Sequence, residues 1–229
     1  MKIELRDLQF YLLNGSEAPH EYMKIYDETY QTWRQVWEQA FLELNGNKVL
    51  YSDGFTRQTK IGAIFYRDRC VSLIALRECD FSFLSHKQDP LLSSWDTESF
   101  EKLVKDGSKV AICSYLSVHP DFRGEIAPGI SLKLLISFMS VRTLLDSDCD
   151  VMTGTTRCNR GTDKAAYSTG ATFLKKSSMH GVEVDLIAIY RRHVQANLSK
   201  FSHLWAEALW SNRIDLLPKT LRTPAKKAA

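Results

Sequence analysis

The sequence lacks paired cysteines and paired histidines. Its five cysteines contain no CxxC pair, and its six histidines never form HExxH or a similar ligand pair. Zinc sites and disulfide frameworks need such spacings, so we expect reduced thiols and no metal site. The cysteines are Cys70, Cys79, Cys113, Cys149 and Cys158.

Long apolar runs and dense basic stretches are also missing. No run approaches the length that a transmembrane helix requires, and the start, MKIELRDLQFYLL, has early charges and no long apolar core. This start is not typical of a signal peptide, so we expect a cytoplasmic protein without a membrane partner. The net charge of +3 comes from scattered lysines and arginines. A nucleic-acid partner, which would need a basic stripe, is therefore not expected.

The chain does have the composition of a globular protein. Its 229 residues are 44% hydrophobic and 25% charged, which is enough to bury a substantial core. No internal repeat or low-complexity linker divides the sequence. We expect one domain over residues 1–215 and a basic, solvated tail over residues 216–229, and the oligomeric state stays open.

Strand and helix patterns are mixed along the chain. Residues 81–98 are expected to form a loop or lid followed by a short helix. The mixture predicts an α/β (α+β) sheet with helices on both faces. Hydrophobic periodicity and turn residues predict strands at 2–13, 61–66, 71–76, 110–118, 151–156 and 182–190, and helices at 21–44, 129–145, 162–168 and 193–210.

The most informative segment is SYLSVHPDFRGEIAPGISLKLLISF, residues 114–138. A buried strand ends before Pro120, which cannot donate to a ladder. A loop with Arg123 and Gly124 then leads to a helix that begins near Gly129. Unpaired N–H groups at a helix start, a fixed cation and glycines suit a pyrophosphate. The same residues also fit an ordinary strand-loop-helix connection that uses glycine only for its turns.

The stretch Val118-His119-Pro120-Asp121-Phe122-Arg123-Gly124, followed by Gly129-Ile130-Ser131 and an apolar helix, resembles the acyl-coenzyme A signature of the GNAT superfamily of N-acetyltransferases. The resemblance covers roughly residues 60–190. It implies a mixed, mostly antiparallel sheet that is splayed after its fourth strand. It also implies an acyltransferase that moves an acyl group from acyl-coenzyme A to an amine of a small molecule or peptide, without a permanently bound cofactor.

This resemblance implies roles for individual residues. The N–H near Val118 would face the thioester oxygen, Tyr167 would protonate the leaving sulfur, and His119 could take a proton. A structural role explains the same residues, since Tyr167 could pack on the core and Asn159 could cap a helix. The implied donor-binding residues are Leu116, Ser117, Val118, Arg123, Gly124, Gly129, Ile130, Ser131 and Asn159.

The phosphate loop departs from the family pattern. Four residues separate Gly124 from Gly129 where the family has one. Glu125 adds a negative charge, and Pro128 removes one N–H, although proline is also favoured in a first helical turn. The departure leaves open a donor without the nucleotide, such as an acyl carrier protein that presents the same pantetheine thioester.

A second likeness concerns the first predicted helix. Arg34, Val36-Trp37 and Phe41, with Leu76-Arg77, look similar to acyl-homoserine lactone synthases and long-chain N-acyl amino acid synthases, which take acyl groups from acyl carrier protein. The acidic residue that the homoserine lactone synthases carry on the strand matching residues 110–118 is absent. A third alternative is therefore a catalytically inactive domain of the same fold that binds a ligand or partner.

The acceptor pocket is expected between the first helix and residues 81–98. The aromatic side chains there could instead be core residues, and the arginines could sit in surface ion pairs. The predicted acceptor-binding residues are Trp33, Arg34, Trp37 and Arg77.

Overall fold

The computed structural model of the protein describes residues 3–46 and 49–221. Its strands are β1 (Leu8–Leu13), β2 (Lys60–Tyr66), β3 (Arg69–Asp80), β4 (Lys109–Val118), β5 (Glu125–Ala127), β6 (Ile130–Ser131), β7 (Val151–Arg157), β8 (Thr172–Met179), β9 (Val182–Tyr190) and β10 (Ile214–Asp215). Its α-helices are α1 (Met23–Asn45), α2 (Asp53–Thr56), α3 (Leu84–Lys87), α4 (Thr97–Leu103), α5 (Leu132–Leu145), α6 (Thr162–Ser168), α7 (Arg191–Ala196) and α8 (Leu204–Ser211).

The central sheet is mostly antiparallel, with β10 added in parallel to β1 at one edge and a short parallel contact between its two halves. Its strand order is β10-β1-β2-β3-β4-β7-β9-β8. The contact between the halves pairs only Val110–Ile112 of β4 with Val151–Thr153 of β7. Beyond these pairs the two strands share no register within the described part of the chain, so the sheet is open from Cys113 onward. The splay predicted after the fourth strand is confirmed.

Helices cover both faces of this sheet, as predicted. On one face, called the α5 face, α5 and α8 pack against alternate strand residues such as Ile74 and Leu76. On the opposite α1 face, Trp33 of α1 packs with Leu73 in one cluster. The segment after β3 forms a second cluster on that face, where Phe81 packs with neighbours from β4, β7 and β9.

The stop signal at the end of the first helix is confirmed. Gly46 follows Asn45 with φ 72°, a left-handed conformation that glycine adopts at low cost, and its N–H donates to the Leu42 carbonyl oxygen at 3.0 Å.

Two elements near the C-terminus differ from expectation. The single helix predicted over 193–210 is wrong, because α7 ends where Asn197 Nδ2 donates to the His193 carbonyl oxygen at 3.0 Å. The imidazole of His203 then caps α8 by accepting from the Trp205 N–H at 3.2 Å.

Strand β8 was missed, since its polar, largely exposed sequence TFLKKSSM belongs to a sheet edge and lacks an apolar alternation.

The two ends of the chain also carry information. Residues 5–7 form a 3-10 turn, so the first strand is shorter than predicted. Leu216 and Leu217 are buried, which places the first residues of the predicted tail against the core. The remainder of that tail, residues 222–229, lies outside the described residues, and the single domain over 1–215 stays a prediction. No helix in the described ranges has the length and hydrophobicity needed to cross a membrane.

Candidate active site

A cavity of about 650 Å³ occupies the opening between β4 and β7. The two strands stay close at Gly154, where an added Cβ would lie only 3.2 Å from the Cys113 carbonyl oxygen. Residues of α1 line the cavity on one face of the sheet, and residues of α5 and α6 line it on the other. The cavity therefore reaches both faces through the gap in the sheet.

A β-bulge in β4 shapes one wall of this cavity. Tyr115 has φ 55°, and the register with β3 shifts between Leu73 and Ala75. A bulge inserts one extra residue and changes which side chains share a face. As a result Leu116 and Val118 pack with the cluster on the α5 face, and Tyr115 packs with the cluster on the α1 face.

The register at the end of β4 fixes the direction of one peptide group. Val118 lies opposite Ser72, and the next N–H, that of His119, donates to the Val71 carbonyl oxygen at 3.0 Å. In an antiparallel ladder this pattern marks Val118 and Ser72 as a non-hydrogen-bonded pair, whose backbone groups do not bond to each other. The N–H of Val118 therefore points away from β3, toward the side that β7 leaves open.

Two cationic side chains line the cavity at the start of α5. Arg123 and Lys133 line the cavity there together with Gly124 and Ser131. Ser131 caps the helix, because its hydroxyl oxygen accepts from the Leu134 N–H at 3.2 Å. Burial lowers the pKa of Lys133, and the nearby Arg123 lowers it further. Two cations beside a helix N-terminus form a surface that suits phosphate oxygens.

The extra residues between Gly124 and Gly129 belong to the hairpin β5–β6, which corrects the prediction for Gly129 and Ile130. Gly129 lies at the exposed tip with φ 73°, which the second central residue of a type II turn requires, and Pro128 precedes it. Ile130 is buried in the core, as is Ile126. Neither Gly129 nor Ile130 lines the cavity, and α5 begins at Leu132 rather than at residue 129.

Of the predicted acceptor-binding residues, only Trp37 lines the cavity. Arg34 forms an exposed ion pair with Glu38 at 2.6 Å, and Arg77 forms one with the buried Asp89 at 2.8 Å. No residue of 81–98 lines the cavity, because Phe81, Leu92 and Trp95 fill the neighbouring cluster on the α1 face. This cavity therefore does not lie between the first helix and this segment, where the acceptor pocket was expected. Trp33 is a core residue with 0% exposure.

Six of the predicted donor-binding residues line the cavity. The cavity lining includes Leu116, Val118, Arg123, Gly124, Ser131 and Asn159. Ser117 is buried behind this wall, where its hydroxyl oxygen accepts from the Trp37 indole N–H at 3.0 Å.

The two predicted catalytic side chains point elsewhere. The Tyr167 hydroxyl donates to Oδ2 of Asp185 at 2.5 Å, and Tyr167 is not part of the cavity lining. Burial raises the pKa of Tyr167, and Asp185 raises it further. His119 is also outside the lining, with Nε2 3.2 Å from the Arg69 guanidinium. Burial lowers the pKa of His119, and Arg69 adds to this effect.

A cluster beside Tyr167 combines metal-ligand types. Ligand atoms of Cys158, Asp163 and Asp185 lie within 4.8 Å of one another. Asp185, however, already accepts from Tyr167 and lies 3.3 Å from the Lys176 ammonium. The lysine supplies the positive charge at this position, so the cluster reads as an ion pair that fastens β8 to β9.

Several residues of the cavity mouth were missed from the sequence. Lys133 lies on the α5 side, Arg157 is the last residue of β7, and Arg160 follows that strand. Glu43 of α1 forms an ion pair with Arg160 across the mouth. Arg157 had a usable signal, because it follows a predicted strand at the edge where the splay was expected, and ligands bind at such strand ends.

The cavity offers positioning groups rather than an obvious base. Cys113 lines it, but burial raises the pKa of its thiol to about 12, so the sulfur is protonated near neutral pH. The hydroxyls of Ser137 and Ser140 are engaged as donors to backbone carbonyl oxygens of α5. The polar groups that the cavity offers are therefore mainly backbone groups and cationic side chains.

Comparison with known proteins establishes the fold. No protein-family profile matches the chain, and no curated protein matches it in sequence. FeeM, an N-acyl amino acid synthase from uncultured soil microbes, is similar with a TM-score of 0.57 and 14% identity over 85% of this chain and 97% of FeeM. BjaI is a CoA-dependent acyl-homoserine lactone synthase whose structure contains SAM and isopentyl-CoA. It is similar with a TM-score of 0.58 and 11% identity over 93% of this chain and 95% of BjaI. The chain shares the fold of these acyl-transferring synthases, which confirms the fold implied by both sequence resemblances.

Proposed function

We propose that the protein is an N-acyltransferase that moves an acyl group from a pantetheine thioester to an amine. The observation that carries this proposal is the open edge of β4, which faces a cavity that reaches both faces of the sheet. A donor can enter from one face and an acceptor from the other. The two substrates would then meet in the gap between the strands.

The donor fits the open edge in two ways. Beyond Ile112 the cavity side of β4 has no strand partner, and unpaired backbone groups bind extended chains that carry amides, as the pantetheine arm does. Its phosphates would lie near Arg123 and Lys133 at the start of α5. The isopentyl-CoA in the structure of BjaI, which has the same fold, supports this class of donor.

The reaction needs three events at the thioester. A neutral amine attacks the carbonyl carbon and forms the C–N bond, the C–S bond breaks, and the departing thiolate accepts a proton that the amine loses. The Val118 N–H, which faces the open side, would stabilise the oxyanion between these events. One such donor lowers the barrier by about 3 kcal/mol in enzymes that have an oxyanion hole.

Coenzyme A and acyl carrier protein present the same arm and differ only beyond the phosphate. The hairpin β5–β6 stands beside the donor entrance, since Gly124 and Glu125 line the cavity there. This departure from the usual phosphate loop keeps an acyl carrier protein donor, and with it long-chain N-acyl synthesis, as the second candidate.

The test is a thiol-release screen. Short and long acyl-coenzyme A and acyl carrier protein donors are each supplied with a panel of amines, and free thiol is measured with and without acceptor. We expect release that depends on the amine. Absence of release with every donor, together with no measurable binding of coenzyme A or acyl carrier protein, would contradict the proposal and favour the inactive domain.

A further inference from the structure

Arg157 is a cation in the cavity wall without a counter-ion. It ends β7 and lines the cavity, and its Nε is buried without a hydrogen-bond partner. Within residues 3–46 and 49–221 no carboxylate lies at ion-pair distance from its guanidinium. A partly buried, unpaired charge is costly, so such a group is typical of a site that a ligand completes.

The carboxylate that acts on the charge of Arg157 is already paired with another cation. Glu43 acts on the charge of Arg157, but its Oε2 forms the ion pair with Arg160. Its Oε1 accepts from the Gln39 amide at 3.5 Å. The positive charge of Arg160 adds to that of Arg157, so the pair of arginines keeps a net positive charge at this end of the cavity.

The side of the sheet on which Arg157 lies separates it from the donor cations. Side chains alternate along β7, with Val151 in the cluster on the α1 face and Met152 in the cluster on the α5 face. Thr155 follows this alternation, because its hydroxyl oxygen accepts from the Trp95 indole on the α1 face at 3.1 Å. Arg157, two residues on, shares that face.

The donor cations belong to the other face. Lys133 is on α5, and the charges that act on it come from Arg123, Arg160 and Asp163 rather than from Arg157. A donor whose phosphates lie at Arg123 and Lys133 would leave Arg157 free on the opposite side of the gap. The cavity thus has a cationic group for each of two ligands.

We propose that Arg157 binds a carboxylate on the acceptor, so that the acceptor is an amino acid or a similar amine that carries a carboxylate. That the ligand of Arg157 is the acceptor of an acyl group rests on the proposed function. A guanidinium binds a carboxylate with two parallel hydrogen bonds, which fixes the direction of the attached amine. On the same face, α1 lines the cavity with the apolar Val36, Trp37 and Ala40 as well as Gln39 and Glu43, and the apolar part favours an apolar side chain.

The first test measures binding without chemistry. L-leucine and L-phenylalanine are titrated calorimetrically, with isopentylamine and phenethylamine as matched amines without the carboxylate. We expect the amino acids to bind at least about tenfold more tightly than the amines, and Arg157→Gln to remove this preference. Arg157→Lys should restore part of it. Equal affinity for acids and amines, or an unchanged preference in Arg157→Gln, overturns the inference.

Matched variants separate this site from the donor site. Arg157→Gln should leave coenzyme A affinity within about twofold, whereas Arg123→Gln should weaken it about tenfold and leave amino acid binding unchanged. Arg6→Gln, an exposed arginine paired with Glu4, should change neither. Loss of coenzyme A binding in Arg157→Gln, with amino acid binding intact, would make Arg157 a phosphate ligand and overturn the inference.

Turnover distinguishes failure of this inference from failure of the proposed function. In the thiol-release assay Arg157→Gln should raise the KM for the amino acid about tenfold or more and leave kcat within about threefold. Amines acylated as well as amino acids, with no effect of Arg157→Gln, would remove the inference and leave the transferase. Amino acid binding that depends on Arg157, without thiol release from any donor, would support the carboxylate site and remove the transferase.

Discussion

The indole N–H of Trp37 donates a hydrogen bond to the Ser117 hydroxyl oxygen at 3.0 Å. That hydroxyl in turn donates to the Tyr115 carbonyl oxygen at 2.8 Å. Trp37 is on α1, and Tyr115 is the residue with positive φ in the bulge of β4. These two hydrogen bonds therefore connect α1, which lines the cavity, to the β-bulge in β4, which shapes the cavity wall.

Trp37→Phe tests this connection. The ring remains to pack on Tyr115, whose centroid lies 5.1 Å away, but the buried Ser117 loses its donor. We expect the free energy of unfolding to fall by about 1 kcal/mol, measured by chemical denaturation. In a double-mutant cycle with Ser117→Ala, additive effects would mean that the bond contributes nothing to stability.

The Val118 N–H can be removed with little other change. Because this N–H points away from β3, Val118→Pro removes no hydrogen bond of the ladder, and Val118→Ala is the matched variant that keeps the N–H. We expect thiol release by the proline variant to fall at least about a hundredfold below that of the alanine variant. Coenzyme A affinity should differ by only a few-fold. Similar turnover in the two variants would exclude this N–H as the oxyanion donor.

The fold was largely readable from the sequence because its signals are local. The apolar spacing of α1 and its stop at Gly46, the β2–β3 hairpin and the Pro120 that ends β4 each depend on residues close in the chain. The hairpin β5–β6 was not predicted, because its stability comes from distant contacts. The N–H of Ile3 donates to the Ile126 carbonyl oxygen at 3.1 Å, and Ile126 and Ile130 are buried in the core.

The site was less predictable because charge pairing is decided by the fold. Glu38 lies one helical turn from Arg34, so their ion pair was a readable signal against a role in acceptor binding. The pairing of Arg160 with Glu43 joins residues 117 positions apart and gives no such signal. That distant pair uses the carboxylate that acts on Arg157 and leaves Arg157 without an ion pair, which the sequence alone does not reveal.

His119 should act on stability rather than on catalysis. Burial lowers its pKa, Arg69 and Arg123 lower it further, and Asp121 and Glu28 act in the opposite direction. Just below the ordinary value of about 6.5 the unfolded chain binds a proton that the folded chain does not. The free energy of unfolding should therefore fall as the pH falls from about 7.5 to about 5.5.

His119→Asn isolates this contribution. Asparagine can still accept from the Asp121 N–H, as the imidazole does at 3.3 Å, but it does not titrate. We expect the melting temperature of the variant to depend less on pH over this interval than that of the unsubstituted protein, with thiol release within about threefold at neutral pH. Identical pH dependence of the two proteins, or a large loss of turnover, would return His119 to the candidates for the base.

Tyr167→Phe decides between the role implied by the family and the role that the structure favours. The variant removes the hydroxyl that donates to the buried carboxylate of Asp185. Burial acts to raise the pKa of Asp185, but hydrogen bonds from Tyr167 and Lys176 lower this pKa below its ordinary value. A lowered pKa means stability that is present above the ordinary value and lost as the pH falls toward the folded-state value. We expect Tyr167→Phe to reduce the free energy of unfolding by about 1–3 kcal/mol at neutral pH.

The turnover of the same variant completes the comparison. Because the hydroxyl is committed to Asp185 outside the cavity lining, thiol release per folded molecule should stay within about threefold. Asp185→Asn is the matched control, since the asparagine oxygen still accepts from Tyr167 while the charge is lost, and it should shift stability without changing kcat. The contrary outcome is a hundredfold loss of kcat in Tyr167→Phe with unchanged stability. Because a proton donor at the reacting atoms would give that combination, the side chain would then have to turn into the cavity and protonate the leaving sulfur.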